Sequence, residues 1–168
     1  EIFGDLPIYV SLDSADVWSH PKLFMLDQNR RPTKVAGVPP DFFSATGQLW
    51  GNPIYNFEYQ KKNNFKWWQQ RIHLNSQLYD IIRIDHFLAF AKYWVIPGNS
   101  KTAKSGKWIK GVGESILKEI LPKTKTKIVA EDLGIVTEDV YKLKNEFEIP
   151  GVKVVQFAFD GEGDNMYK

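Results

Sequence analysis

Residues Asp80–Asp85 read DIIRID, an apolar run with an arginine inside it and a carboxylate at its end. On an extended strand, Ile82 and Ile84 project to one face, while Arg83 and Asp85 project to the other. Three further segments have the same character: Glu1–Asp5, Lys127–Asp132 (KIVAED) and Val152–Asp160 (VKVVQFAFD). Runs rich in Ile and Val, apolar on both faces, are what buried parallel strands look like. Each of the four finishes on an acidic residue.

Helical patterns lie between them. Phe57–Tyr79 carries Phe65, Trp68, Ile72 and Tyr79 at spacings that share one helix face. Trp67 and Trp68 are therefore expected to pack helix against sheet, while Trp18, Trp94 and Trp108 stay open. Glu114–Leu121 repeats the apolar period and Pro122 stops it. Thr137 is placed to cap a third helix, with Glu138 and Asp139 in its first turn, Val140, Leu143 and Phe147 as its stripe, and Pro150-Gly151 after it. The order strand, helix, strand, helix, strand, helix, strand argues for parallel crossovers and an α/β class. Two stretches exceed a minimal crossover: a proline-rich insertion over about 11–56, and a Lys/Gly-rich stretch over 92–113, both expected as loops.

Composition narrows the function. The 168 residues carry 22 basic and 20 acidic side chains, net +2, too balanced for nucleic-acid binding by bulk attraction. Eight lysines fall between Lys101 and Lys127 with Trp108 as their single interleaved aromatic, which reads as a solvated face. No segment is long and apolar enough for a membrane helix, so no membrane partner is expected. There is no cysteine, which excludes disulfides, thiol catalysis and Cys-based zinc sites and fits a cytoplasmic protein. His20, His73 and His86 are too scattered for a metal motif. No cofactor and no metal are expected. Aromatic residues make up 14% of the chain, a pointer to carbohydrate as well as to core packing.

The chemistry sits in the strand-end carboxylates: Asp5, Asp85, Glu131, Asp132 and Asp160. In a parallel barrel the C-terminal rim of the strands builds the site. Several carboxylates on one rim suit a divalent cation or acid/base work on a glycosidic bond. Arg83 beside Asp85 favours the charged form that a nucleophile needs. Glu131 and Asp132 compete for the acid role, since adjacent strand residues point opposite ways and parity does not say which faces the site.

Gly4–Trp18 (GDLPIYVSLDSADVW), Val35–Tyr55 (VAGVPPDFFSATGQLWGNPIY), Ile81–Phe87 (IIRIDHF), Val129–Gly134 (VAEDLG) and Gly151–Asp160 (GVKVVQFAFD) together closely resemble the amylomaltases, or disproportionating enzymes. These are 4-alpha-glucanotransferases of the α-amylase superfamily. The resemblance implies a partial TIM (β/α)8 barrel, with the four strands as about the third to the sixth and with inserted active-site loops. A whole barrel takes about 250 residues, so 168 are expected to be an internal piece of the catalytic domain. In the family a third catalytic Asp follows a THDND motif, which is absent here. The chain alone is therefore expected to be inactive.

The resemblance also implies roles. Asp85 is the nucleophile of a retaining double displacement and Glu131 the acid/base. Among the substrate-binding residues, Arg83 would orient Asp85 and hold its charge, Asp5 would hydrogen-bond sugar hydroxyls near the reacting ring, and His86 would line the site. Asp41, Phe43, Gln48 and Trp50, in the loop Val35–Gly51 stiffened by Pro39-Pro40 and bent at its glycines, would contact glucan and help exclude water. The expected partner is an α-1,4-glucan or maltooligosaccharide; oligomeric state is not legible. Two other readings stay open: an α-amylase-type hydrolase or sucrose-acting relative on the same barrel, and a non-catalytic glucan-binding fragment.

Overall fold

The computed structural model describes residues 1–134 and 136–159. Two sheets form. The first is parallel and three-stranded, order β1-β4-β7, from β1 (Phe3–Leu6), β4 (Ile81–Ile84) and β7 (Lys127–Ala130). The second is antiparallel and four-stranded, order β3-β2-β5-β6, from β2 (Lys34–Val38), β3 (Gln48–Pro53), β5 (Lys92–Pro97) and β6 (Lys107–Lys110). Helices α1 (Ala15–Ser19), α2 (Phe57–Lys61), α3 (Lys66–Ser76), α4 (Leu88–Ala91), α5 (Gly113–Ile120) and α6 (Glu138–Glu146) complete the α/β fold. No described helix is long and apolar enough to cross a membrane.

The parallel sheet follows the period-two reading. Leu6, Ile82, Ile84, Ile128 and Ala130 are buried, and alternate residues Asp5, Arg83 and Val129 are in register on the other side. The buried face packs with Trp68 and Ile72 of α3, Ile116, Leu117 and Ile120 of α5, and Val140 and Leu143 of α6 in one core. α5 gives way at Leu121 to a short tight turn holding Pro122, as the sequence predicts.

Five expectations are corrected. The helix over 57–79 breaks in two, because Asn64 and Phe65 adopt left-handed backbone. Asn visits that region readily; Phe65 is held there by burial of its ring. The stretch 92–113 is not a loop but carries β5 and β6, and the insertion 11–56 carries β2 and β3. The described residues 152–159 do not form a fourth strand. Gly151 bridges Ala130 in parallel, but the next donor, Val152 N–H, goes to the Asp132 carboxylate, and a tight helical turn follows over Val155–Phe159. Asp160 lies outside the described residues. Finally, Thr137 does stand at the N-terminus of α6, but its hydroxyl bonds the Asp139 carboxylate rather than a free backbone N–H.

The insertion is fastened back to the segment that follows β1. The Tyr55 hydroxyl donates to the Ile8 carbonyl at 2.7 Å, the Tyr55 ring stacks on Tyr9, and Asn52 donates to the Val10 carbonyl. Gly47 and Gly51 take positive φ (68° and 81°), which lets the β2–β3 connection bend towards the end of the parallel sheet.

Candidate active site

The ladders end on Leu6↔Ile84 and Ile84↔Ala130. Asp85 and Glu131 are the next residues along, each one step past the end of its strand. Backbone bonds continue past the ladder: Asp85 N–H to the Leu6 carbonyl (3.0 Å), Glu131 N–H to that of Ile84 (2.9 Å), Phe87 N–H to that of Glu131 (3.1 Å). These bonds fix where the two carboxylates leave the sheet.

Arg83 joins the carboxylates of adjacent strands. Its Nε lies 2.8 Å from Asp5, and one terminal nitrogen lies 2.9 Å from Asp85. Glu131 is held otherwise. Oε2 accepts the His86 N–H at 2.8 Å and Oε1 accepts the Leu133 N–H at 3.0 Å. His86 can aim its N–H there because its φ is +49°. A non-glycine residue in that region is strained, and such strain is kept where the surroundings enforce it. The neighbouring Asp132 carboxylate is engaged by Lys144 and the Val152 N–H instead.

Glu131, His86, Asp41, Gln48 and Trp50 line one cleft of about 540 Å³. Asp5, Arg83 and Asp85 do not line it; they form an ion-paired group whose Asp85 immediately precedes the cleft residue His86. Phe43 does not line it either. The Asp41 carboxylate accepts the N–H groups of Phe43 and Ser44, and this turn throws Phe42 and Phe43 outwards, with Phe43 92% exposed. In the cleft the Trp50 indole donates to Gln48 Oε1 (3.0 Å), and its ring meets His86 edge-on, centroids 4.8 Å apart. Indole, imidazole, amide and carboxylate around one cleft suit a ligand with apolar ring faces and many hydroxyls.

Sequence reasoning missed Lys92 and left Trp108 open; both also border the cleft. The Lys92 ammonium sits 5.3 Å from the Trp108 ring centre and 3.8 Å from the Asp139 carboxylate. The alternation of Tyr93 and Val95 (buried) with Lys92 and Trp94 (half-buried) was the signal for a strand there.

Burial pushes the His86 imidazole down to about 4, with the Asp85 carboxylate opposing the shift. The native state thus holds it neutral at pH 7, whereas an unfolded histidine titrates near 6.5. Its contribution to stability is complete above that value and is lost as pH falls towards 4. A His86→Gln protein should lack this loss, about 3 kcal/mol between pH 6.5 and pH 4. Urea unfolding across that range measures it; parallel stability curves for the two proteins would refute it.

A family model described as 4-alpha-glucanotransferase matches residues 1–168. The chain is similar to a 4-alpha-glucanotransferase of Aquifex aeolicus, 50% identical over 98% of this chain and 34% of the relative. It is equally similar to one of Clostridium butyricum, 50% identical over 99% of this chain and 35% of the relative. Among solved structures it is similar to an amylomaltase from Streptococcus agalactiae in complex with acarbose, with TM-score 0.90 and 43% identity over 98% of this chain and 34% of that one. The chain spans about a third of the length of the curated relatives it matches. Motifs, sheet order and these similarities converge: the chain belongs to the 4-alpha-glucanotransferase family.

Proposed function

We propose that these residues supply the reacting carboxylates of a 4-alpha-glucanotransferase that moves α-1,4-glucan segments onto an acceptor glucan or glucose. The observation that carries the reading is the Glu131 carboxylate held on the amide of His86, the residue after Asp85. It ties a positioned proton donor to the strand end that bears the nucleophile. The parallel order β1-β4-β7 with helices on one face supports placing them on a (β/α)8 barrel, as part of its catalytic domain. The acarbose complex of the Streptococcus agalactiae relative supports an oligosaccharide as occupant.

Asp85 attacks the anomeric carbon of the donor as Glu131 gives its proton to the departing glycosidic oxygen. The bond to the leaving sugar breaks and a glycosyl ester to Asp85 forms. Glu131, now a carboxylate, takes the proton of an acceptor hydroxyl, which displaces Asp85 with net retention. Arg83 orients Asp85 and is itself held by Asp5. Trp50, Gln48, Asp41 and His86 seat the glucan. The β2–β3 loop covers the cleft so that a sugar, not water, is the acceptor. The family's third catalytic carboxylate is not among these residues, so this chain alone should turn over no glucan.

The test is Glu131→Gln in full-length context, the chain joined to the remainder its relatives carry. Maltotriose disproportionation should fall by at least ~10², while maltoheptaose still binds. Near wild-type transfer in the variant would sink the assignment. Free glucose with longer oligosaccharides from the parent supports transfer; shortening alone indicates a hydrolase.

A further inference from the structure

Asp132 has no part in that chemistry, yet it is tightly enclosed beside it. It pairs with Lys144, both side chains being 11% exposed, and also accepts the Val152 N–H at 2.9 Å. Lys144 lies on the buried side of α6 with Val140 and Leu143. A side chain at Gly151 would overlap both members of the pair, and the preceding Pro150 carbonyl accepts the Ala130 N–H at 2.8 Å. The end of β7, the last turn of α6 and segment 150–152 therefore meet at one ion pair. An enclosed ion pair gains little over apolar residues of equal volume, so stability alone does not account for it.

Glu131 directly precedes it, borders the same cleft, and rests its oxygens on the His86 and Leu133 N–H groups. The two residues share a peptide unit just past β7, so anchoring the Asp132 side chain on Lys144 and the Val152 N–H restrains the backbone from which Glu131 projects. We propose that Asp132 and Lys144 are positioning residues: their pair clamps the 131–133 backbone and thereby aims Glu131 at the rim shared with Asp85. This rests on Glu131 being the acid/base.

The experiment compares two donors in the full-length enzyme. Maltotriose needs its leaving sugar protonated. α-Maltotriosyl fluoride does not: Asp85 bonds to the anomeric carbon and fluoride leaves with the electron pair. Asp132→Asn keeps an acceptor for Val152 and removes the charge. It should lower kcat on maltotriose about tenfold or more, since misplacement of catalytic groups by about an ångström is worth up to ~10². KM should change little, and the initial burst of fluoride should stay close to wild type. The double variant Asp132→Asn/Lys144→Gln restores an uncharged hydrogen-bonded pair and should recover most of the loss; it also carries the test if the single variant does not fold. Glu131→Gln is the control. If it slows both donors alike, the acid/base reading fails. If it is selective but Asp132→Asn slows both donors equally, or neither, or if the double variant recovers nothing, the positioning proposal is overturned.

Discussion

An Asp85→Ala protein of full length should lose glucan transfer by several orders of magnitude and keep its fold. The two halves of this expectation have separate grounds. Asp85 lies past the end of β4, and the partner of its side chain is Arg83, which retains Asp5 when Asp85 is removed. Partly exposed ion pairs of this kind are worth about 0–1 kcal/mol, so the melting temperature should hardly move. On the proposed mechanism the reaction, by contrast, loses the atom that forms the covalent intermediate, and neither Glu131 nor the cleft can replace it. The space vacated by the carboxylate gives a discriminating readout. Azide entering it would attack from the nucleophile's side and yield a glycosyl azide of inverted configuration, which the wild-type enzyme would not accumulate. Transfer near the wild-type rate, or a fall in rate matched by unfolding, would remove Asp85 from the role.

The parts of this site that sequence could reveal are those set by local periodicity. Arg83 and Asp85 share a face because a strand alternates, and the structure joins them as that alternation predicts. Glu131 against Asp132 was not decidable that way, since parity assigns them to opposite faces without saying which face is which. What separates them is Lys144, twelve residues on and on a different element. A trace of it was visible: a lysine within the apolar stripe Val140, Leu143, Phe147 is out of place unless something buried pairs with it. The failures were of two kinds. Residues 152–160 have the composition of a strand, but a strand exists through its partners, and there Asp132 takes the next donor. Residues 92–113 have the composition of a loop, yet Lys92–Pro97 pairs with β2 on one side and β6 on the other. The left-handed turn at His86, which aims the amide at Glu131, had no signal at all, because nothing in the residue type asks for positive φ.

The six tryptophans look alike in sequence and should behave very differently when truncated. Trp68 is fully buried, at 0% exposure, and its ring meets Tyr55 of the insertion, Trp67 of its own helix and Phe90 of α4 at 5.2–5.5 Å between centroids. It is thus packed between the insertion and the elements that follow the parallel sheet. Trp68→Ala should cost about 3–5 kcal/mol, because lost apolar contact and an unfilled cavity add. Trp18, 76% exposed, should tolerate the same change within about 0.5 kcal/mol. Trp68→Phe should cost far less than Trp68→Ala. It keeps most of the ring volume, and the indole N–H it removes is buried without an acceptor among the described residues, so no hydrogen bond is lost with it. Equilibrium unfolding in urea, with the three variants side by side in full-length context, measures all of this. If Trp68→Ala cost no more than Trp18→Ala, the insertion would not be packed against the sheet through this ring, and the β2–β3 loop would lose the support that holds Gln48 and Trp50 beside His86.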